Sequence, residues 1–385
     1  MRPTDAQAAD ADARPSLARL AALREAIVSA RGIDELAAAA AAIPRLAAEV
    51  IDSERAEPSE APESPEAPVA PVEADRVGAG AITRRISALN DEVTARVVHA
   101  VAADMAMDLN QACWLAFGSQ ARSEQTLLTD QDNGLVFAAA GESEAEARRP
   151  AWLAFGQRVN DALARCGYPL CDGGVMAGRP LCCLSPDEWG RRFAHWMAHG
   201  NGNDLFAARI YFDLRPLAGN LVLAQPLVDL LRSPAAAVPR FIKQMADIVL
   251  CNHVPLNWLG QVVTSDQAGQ TVFDLKMSGT ALFVDAGRLW ALAHRLAAVG
   301  TVPRLRAAAG AMRVPDKEAA QWVAGFEALQ KLRLRAQRGR VGAAGVQQRA
   351  WVPWHELDAS DRRELKQALR AARVVQQRIE LDYCR

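Results

Sequence analysis

The sequence lacks the features of several common protein classes. Its seven cysteines form no Cys-x-x-Cys pair, and an odd number of cysteines without framework spacing favours reduced thiols. We therefore expect a cytoplasmic protein. The first residues contain no apolar core of a secretory signal, and no apolar run is long enough to span a bilayer. With 44 basic and 45 acidic residues, no overall positive charge attracts the chain to nucleic acid or to a membrane.

Several catalytic motifs are also absent. The chain has no Gly-x-Ser-x-Gly sequence, so acyl hydrolysis has no support. It has neither a Walker A loop nor a Gly-x-Gly-x-x-Gly fingerprint. His195 and His199 are spaced by one helical turn and could share a zinc ion, but no third ligand is evident. We interpret them as ordinary surface or packing residues.

What is present indicates a globular α+β protein. Half of the residues are hydrophobic, and 385 residues suffice for two or three domains with their own cores. Residues 1–52 are predicted to form N-terminal helices, broken near Asp34. Residues 53–77, rich in proline, glutamate and alanine, predict a disordered linker. Residues 78–110 predict a helix that leads into the next domain.

The remaining residues divide into two predicted domains. Residues 111–234 predict a small domain with a mixed sheet, and residues 235–385 an all-helical domain. Within the first, we expect two strands over 112–137, a helix over 142–167 and a third strand from Tyr168 to Met176.

The most informative segment runs from Trp114 to Phe137. An apolar run ends at Gly118-Ser119, a polar loop follows, and a second apolar run starts with Asp130 and Asp132. Side chains alternate along a strand, so both carboxylates are expected to point the same way. Such a pair could share magnesium, which prefers oxygen ligands and leaves room for substrate phosphates.

Other residues of this segment suit a nucleotide. Gly118 would let the backbone approach a phosphate, Ser119 offers a hydroxyl, and Arg122 offers a fork for phosphate oxygens. Glu124 is expected to pair with Arg122 and hold the loop. Asn133 could hydrogen-bond the loop or the sugar, or cap a turn. Each element alone is a common turn or surface feature, but together and in this order they indicate metal-assisted nucleotidyl transfer.

The segment resembles the active-site signature of the DNA polymerase β-like nucleotidyltransferase superfamily. The sequence from Gly118 to Asn133 is more similar to that of one bacterial branch of nucleotidyltransferases. This branch in turn resembles the nucleotidyltransferase part of PII uridylyltransferases. Further matches are Cys171–Met176, Phe212–Gly219 and Phe273–Lys276. Members of that branch often carry CBS or cyclic-nucleotide-binding domains, and none is recognisable in this sequence.

The resemblance implies a third catalytic acid and two magnesium ions. Asp213 and Asp172 are the candidates for the acid. Asp213 could instead form a structural salt bridge with Arg215, and Asp172 could be a turn residue. By the same resemblance Lys276 could reach a triphosphate; the alternative is a solvated lysine beside Asp274.

The implied reaction moves a nucleoside monophosphate from UTP or ATP to an acceptor hydroxyl. The likeness to uridylyltransferases further implies that the acceptor is a protein and that the reaction has a role in signalling. A regulatory protein that binds nucleotide without transfer is the alternative. Nucleic-acid modification is a third hypothesis, which the near-neutral charge disfavours. A local basic groove could still form at Arg333, Arg335, Arg338 and Arg340. Arg288 and Arg295 could line the nucleotide cleft, but a solvated helix face is the expectation for them.

Overall fold

The structure, a computed structural model, describes residues 19–55, 78–341 and 351–384, and of residues 52–55 only the backbone. The predicted linker at 53–77 lies almost wholly outside these ranges. Within them the chain is mostly helical with two small sheets, which confirms the α+β class.

The N-terminal helices pack on a long helix that precedes the central sheet. They are α1 (19–29), α2 (Ile33–Ala40) and α3 (Ile43–Arg55), and the long helix is α4 (Ala79–Asp104). The predicted break near Asp34 is present, but a second break separates α2 from α3. Pro44, the second residue of α3, cannot continue a preceding helix and fits the start of a new one. The apolar residues of α4 are buried in a core cluster that includes these N-terminal helices.

The central sheet has four strands in the order β3-β2-β1-β4. They are β1 (Ala112–Phe117), β2 (Asn133–Phe137), β3 (Cys183–Leu184) and β4 (Leu214–Gly219). β1 runs antiparallel to both neighbours, and β2 and β3 are parallel, so the sheet is mixed as predicted. The third strand was wrongly predicted at 168–176, where Pro169 and the positive φ of Gly174 (68°) suit a turn rather than a strand.

Helices cover both faces of this sheet. Four of them lie in this part of the chain: α5 (Gly118–Ala121), α6 (Glu142–Arg165), α7 (Pro186–His199) and α8 (Gly202–Ala208). Trp114 belongs to a buried cluster with α4 and α6, whereas Leu115 and Phe117 belong to a cluster with α7 and the C-terminal helices. The alternation of β1 side chains therefore joins two cores.

The C-terminal part is helical except for one small sheet. Its helices are α9 (Gln225–Leu231), α10 (Pro239–Cys251), α11 (Ala281–Ala293), α12 (Thr301–Ala311), α13 (Asp316–Arg338) and α14 (Ala359–Tyr383). A sheet of β5 (Ser265–Gln267), β6 (Gln270–Asp274) and β7 (Trp351–Pro353) corrects the all-helical prediction. The β5–β6 hairpin turns at Ala268 and Gly269, both with positive φ, which matches the right-handed twist of paired strands.

None of the helices in the described residues is, by itself, both long and apolar enough to cross a membrane. The segments Leu221–Ala237 and Pro239–Cys251 meet that length and composition only as a pair, bent by 97°.

Candidate active site

The Gly-Ser bend lies directly against the second acid of the Asp-x-Asp sequence. Gly118 follows β1 with φ of 54°, a conformation that favours glycine. A β-carbon at Gly118 would lie 2.9 Å from Oδ2 of Asp132 and 3.3 Å from the side chain of Ile210. The amide of Phe117 donates to the carbonyl of Asp132 at 2.9 Å. The bend and this carboxylate therefore form one local site.

Asp130 and Asp132 share one side of their segment. Both are partly exposed, whereas Gln131 and Asn133 between and after them are 4% and 1% exposed. The side-chain amide of Gln131 donates to the carbonyls of Asn160 and Tyr168, both at 2.9 Å. Strand β2 begins at Asn133, directly after Asp132. The side chains from Asp130 to Asn133 nevertheless already alternate between partly exposed and buried positions.

The two carboxylates are electrostatically coupled. Burial and the neighbouring charge of Asp130 raise the pKa of Asp132 to about 7, while a hydrogen bond from the Cys171 thiol and the charges of Lys276 and Arg122 act in the opposite direction. Two partly buried oxygen donors with uncompensated negative charge fit a hard divalent cation. In the described ranges no three or more His, Cys, Asp or Glu side chains are arranged to hold a metal. A cation at the pair would therefore take further oxygens from water or substrate.

Arg122 and Glu124 lock the loop rather than face the bend. The predicted ion pair is present, with Nε of Arg122 2.7 Å from Oε2 of Glu124. Arg122 also pairs with Asp213. Glu124 is buried, and its carboxylate accepts hydrogen bonds from the amide and hydroxyl of Thr301 at 2.5 and 3.0 Å. Ser119, by contrast, is partly exposed on the bend, and its hydroxyl has no hydrogen-bond partner among the described residues.

Asp213 is held in a cage of arginines. Its side chain is 0% exposed, and its oxygens accept from Arg288 at 3.0 and 2.6 Å and from Arg304 and Arg122. Burial alone would raise the pKa of Asp213, but the charges of the three guanidinium groups outweigh it and hold that pKa far below its usual value. Both oxygens are thus occupied and unavailable to a metal in this arrangement.

This cage corrects two expectations. Arg215, which the structural alternative paired with Asp213, instead binds Asp91 at 2.7 Å. Arg288, expected on a solvated face, is buried and pairs with Asp285 and Asp213.

Two further predicted residues lie away from the carboxylate pair. Asp172 is exposed in a turn closed by the bond from the Gly174 amide to the Cys171 carbonyl at 3.0 Å, which confirms its interpretation as a turn residue. Asn133 is buried on the opposite side of the strand. Its Oδ1 accepts from Asn160 at 2.9 Å and from the Ala177 amide at 2.8 Å, so it supports a loop instead of meeting a nucleotide.

The C-terminal part contributes two cations near the carboxylates. Lys276 is exposed and acts electrostatically on Asp132. Asp274 does not pair with its ammonium group; the Asp274 carboxylate accepts from the backbone amides of Lys276 and Met277 at 2.9 and 2.8 Å. Arg333 of α13, which the sequence offers only as part of a basic groove, lies within electrostatic range of Asp130.

Sequence reasoning missed Arg304, Thr301 and the position of Arg333. Each acts on residues far away in the chain, and none stands in a local motif. His195 and His199 lie on α7 with ring centroids 5.8 Å apart and are exposed.

Two family models match the chain. The model described as Putative nucleotidyltransferase DUF294 matches residues 66–203, which contain the bend and both acids. The model described as Putative nucleotidyltransferase substrate binding domain matches residues 239–383, which contain Lys276 and Arg333. Together they cover well over half of the chain. No curated protein matches it.

Proposed function

The chain belongs to the nucleotidyltransferase family DUF294, and we propose that it moves a nucleoside monophosphate group from a nucleoside triphosphate to an acceptor hydroxyl, with magnesium. The observation that carries this proposal is the contact of the Gly118 bend with Asp132, with Asp130 on the same side. A phosphate-sized ligand at the bend would lie next to both carboxylates.

The residues of the chain have distinct roles in this proposal. Asp130 and Asp132 would hold magnesium, which supplies positive charge for the phosphate oxygens when bound. Ser119, whose hydroxyl has no partner in the described parts of the chain, donates to a phosphate oxygen at the bend. Arg122 and Glu124, both engaged in ion pairs or hydrogen bonds, keep the loop in place.

The reaction is a displacement at the α-phosphorus. A bond forms between the acceptor oxygen and the α-phosphorus while the bond from that phosphorus to the bridging oxygen breaks. Pyrophosphate leaves with the bridging oxygen, and the hydroxyl proton passes to solvent. Orienting the two reactants in one site supplies much of the rate gain in such a step.

The nucleotide and the acceptor follow from the likeness to PII uridylyltransferases. UTP, or ATP, is the proposed donor and a protein side-chain hydroxyl the proposed acceptor, which gives the chain a role in signalling. The near-neutral charge of the chain favours a protein over a nucleic acid as acceptor.

A specific observation favours a second candidate function. The third-acid candidate Asp213 is engaged by three arginines, so that Asp130 and Asp132 are the acids that remain for a metal at the bend among the described residues. A protein of this kind could bind magnesium and nucleotide as a regulatory module and transfer nothing.

Incubation in cell lysate with magnesium and each α-labelled nucleoside triphosphate separates the two functions. We expect a labelled product with the wild type and with the control variant Asp161→Asn, whose exposed carboxylate accepts a hydrogen bond from Gln157. We expect none with Asp130→Asn or Asp132→Asn. Nucleotide binding without any labelled product would favour the regulatory module, and labelling by Asp132→Asn at the wild-type level would refute the proposed role.

A further inference from the structure

Arg333 is a half-buried cation without a carboxylate partner in the described parts of the chain. Its Nη1 donates to the Thr280 hydroxyl at 3.3 Å and to Oε1 of Gln330 at 3.1 Å, both neutral groups. Arg335 on the same helix, by contrast, has an acidic partner, Asp361, at 3.0 Å. A partly buried charge without a counter-ion is unfavourable, so this position suits an anion that arrives from outside.

The fold holds Arg333 beside the loop that carries the two acids. Gln337, one helical turn further along α13, accepts a hydrogen bond from the amide of Leu128, two residues before Asp130. Leu334, next to Arg333, is buried in the core that includes α4 and β1. The helix is therefore fixed against the NTP-binding region that we propose.

The charges around Arg333 come from both parts of the protein. Burial and the cation Arg122 lower the pKa of Arg333 to about 10, while Asp274, Glu124 and Asp130 act in the opposite direction. At neutral pH the guanidinium still carries its charge.

Lys276 is connected to Arg333 through one short segment. The π-helical turn Lys276–Thr280 begins with Lys276 and ends with Thr280, which accepts from Arg333. Lys276 is exposed, and no carboxylate of the described residues lies within ion-pair distance of its ammonium group. Its charge acts on Asp132. The two cations thus belong to one cluster on the C-terminal side of the acids.

We propose that Arg333 and Lys276 form a polyphosphate subsite, which takes the β- and γ-phosphates of the nucleotide and then the leaving pyrophosphate. This inference rests on the proposed function and assigns the leaving group to the C-terminal part. The planar fork of arginine suits phosphate oxygens, and lysine adds a point charge.

The test is a calorimetric titration of the full-length protein with inorganic pyrophosphate in the presence of magnesium. Arg333→Gln is expected to weaken binding about 10- to 100-fold, the range for the loss of a charge-assisted hydrogen bond. Lys276→Gln is expected to weaken it about tenfold. Arg335→Gln, which removes an ion-paired guanidinium from the same helix, should change it less than about threefold.

Two results would overturn the subsite: wild-type protein that binds no pyrophosphate, or wild-type affinity in both Arg333→Gln and Lys276→Gln. Circular dichroism checks the fold of each variant. If Arg333→Gln does not fold, Arg333→Lys replaces it, because this variant keeps the charge and loses the planar fork. Wild-type pyrophosphate affinity in both Arg333→Lys and Lys276→Gln would then overturn the subsite.

Failure of this subsite differs from failure of the proposed reaction. If no nucleoside triphosphate gives a labelled product but the affinity for pyrophosphate depends on Arg333, the subsite is supported and the proposed transfer reaction is refuted. If Asp132→Asn abolishes transfer while Arg333→Gln and Lys276→Gln both leave the pyrophosphate affinity and the KM for the nucleotide unchanged, the proposed transfer is supported and the subsite is refuted.

Discussion

Glu124 binds both the backbone amide and the hydroxyl of Thr301, the first residue of α12. One carboxylate thus joins the loop after the Gly-Ser bend to the start of a C-terminal helix. Its second oxygen also accepts from Arg122, which in turn holds Asp213. The loop that shapes the candidate phosphate site is therefore fixed by residues far away in the chain.

Glu124→Gln should destabilise the protein, because it removes one of the two carboxylates that pair with half-buried Arg122. The expected loss in free energy of unfolding is about 3–5 kcal/mol, as for a broken buried pair. Urea unfolding measures it. The control is Asp247→Asn, which breaks an exposed pair with Lys243 on one helix and should cost less than about 0.5 kcal/mol. Equal losses in the two variants would contradict the locking role of Glu124.

Asp213→Asn should destabilise the protein by about 3–5 kcal/mol at neutral pH, because buried Arg288 and Arg304 and half-buried Arg122 lose the carboxylate that they share. The pKa of Asp213 is lowered in the folded state, so its contribution to stability is fully present above the unfolded value near 4 and is lost as the pH falls. The gap between variant and wild type should therefore narrow in acid. A variant with wild-type stability but no transfer activity would instead favour Asp213 as a catalytic acid.

Asp132 should give the opposite pH dependence in metal-free buffer. Its pKa is raised to about 7, so the protonated form favours the folded state, and this stabilisation is lost as the pH rises from about 4 through 7. At pH 8 with chelator, Asp132→Asn should be more stable than wild type by about 1–3 kcal/mol. Thermal unfolding between pH 5 and 9 measures this. Magnesium should then stabilise the wild type only, and a pH-independent difference in stability between the two proteins would contradict the raised pKa of Asp132.

Gly118→Ala should abolish transfer at a modest cost in stability. The new β-carbon would meet Oδ2 of Asp132 at 2.9 Å, and the positive φ costs an alanine about 1–2 kcal/mol. Gly190→Ala is the matched control, because its β-carbon would enter open space on α7 and alanine favours a helix. Labelling assays and urea unfolding report the two effects. Full activity in Gly118→Ala would show that the close approach of bend and carboxylate is dispensable.

The parts of the site that depend on local periodicity could be predicted from the sequence. Alternation in an extended segment is a property of neighbouring residues, so the shared side of Asp130 and Asp132 follows from their spacing. The same alternation should have excluded Asn133 from the nucleotide, because it lies on the other face. The Glu124–Arg122 pair was also predictable, since the two residues are two positions apart.

The parts that depend on tertiary contacts could not be predicted. Arg288 and Arg304 meet Asp213 across 75 and 91 residues, and no spacing rule connects such positions. The third strand, Cys183–Leu184, has two residues, too few to show a period. The β5–β6 hairpin has three- and five-residue strands, and its only strong local signal is the glycine at its turn.

The most direct measurement of the central claim compares transfer from α-labelled and γ-labelled nucleoside triphosphates by the wild type and by Asp132→Asn, with magnesium and lysate as the source of acceptor. The proposed reaction predicts that the wild type transfers the α-label and not the γ-label, and that the variant transfers neither. Transfer of the γ-label, or an α-label yield that does not depend on Asp132, would contradict a nucleotidyltransferase site at the Gly118 bend.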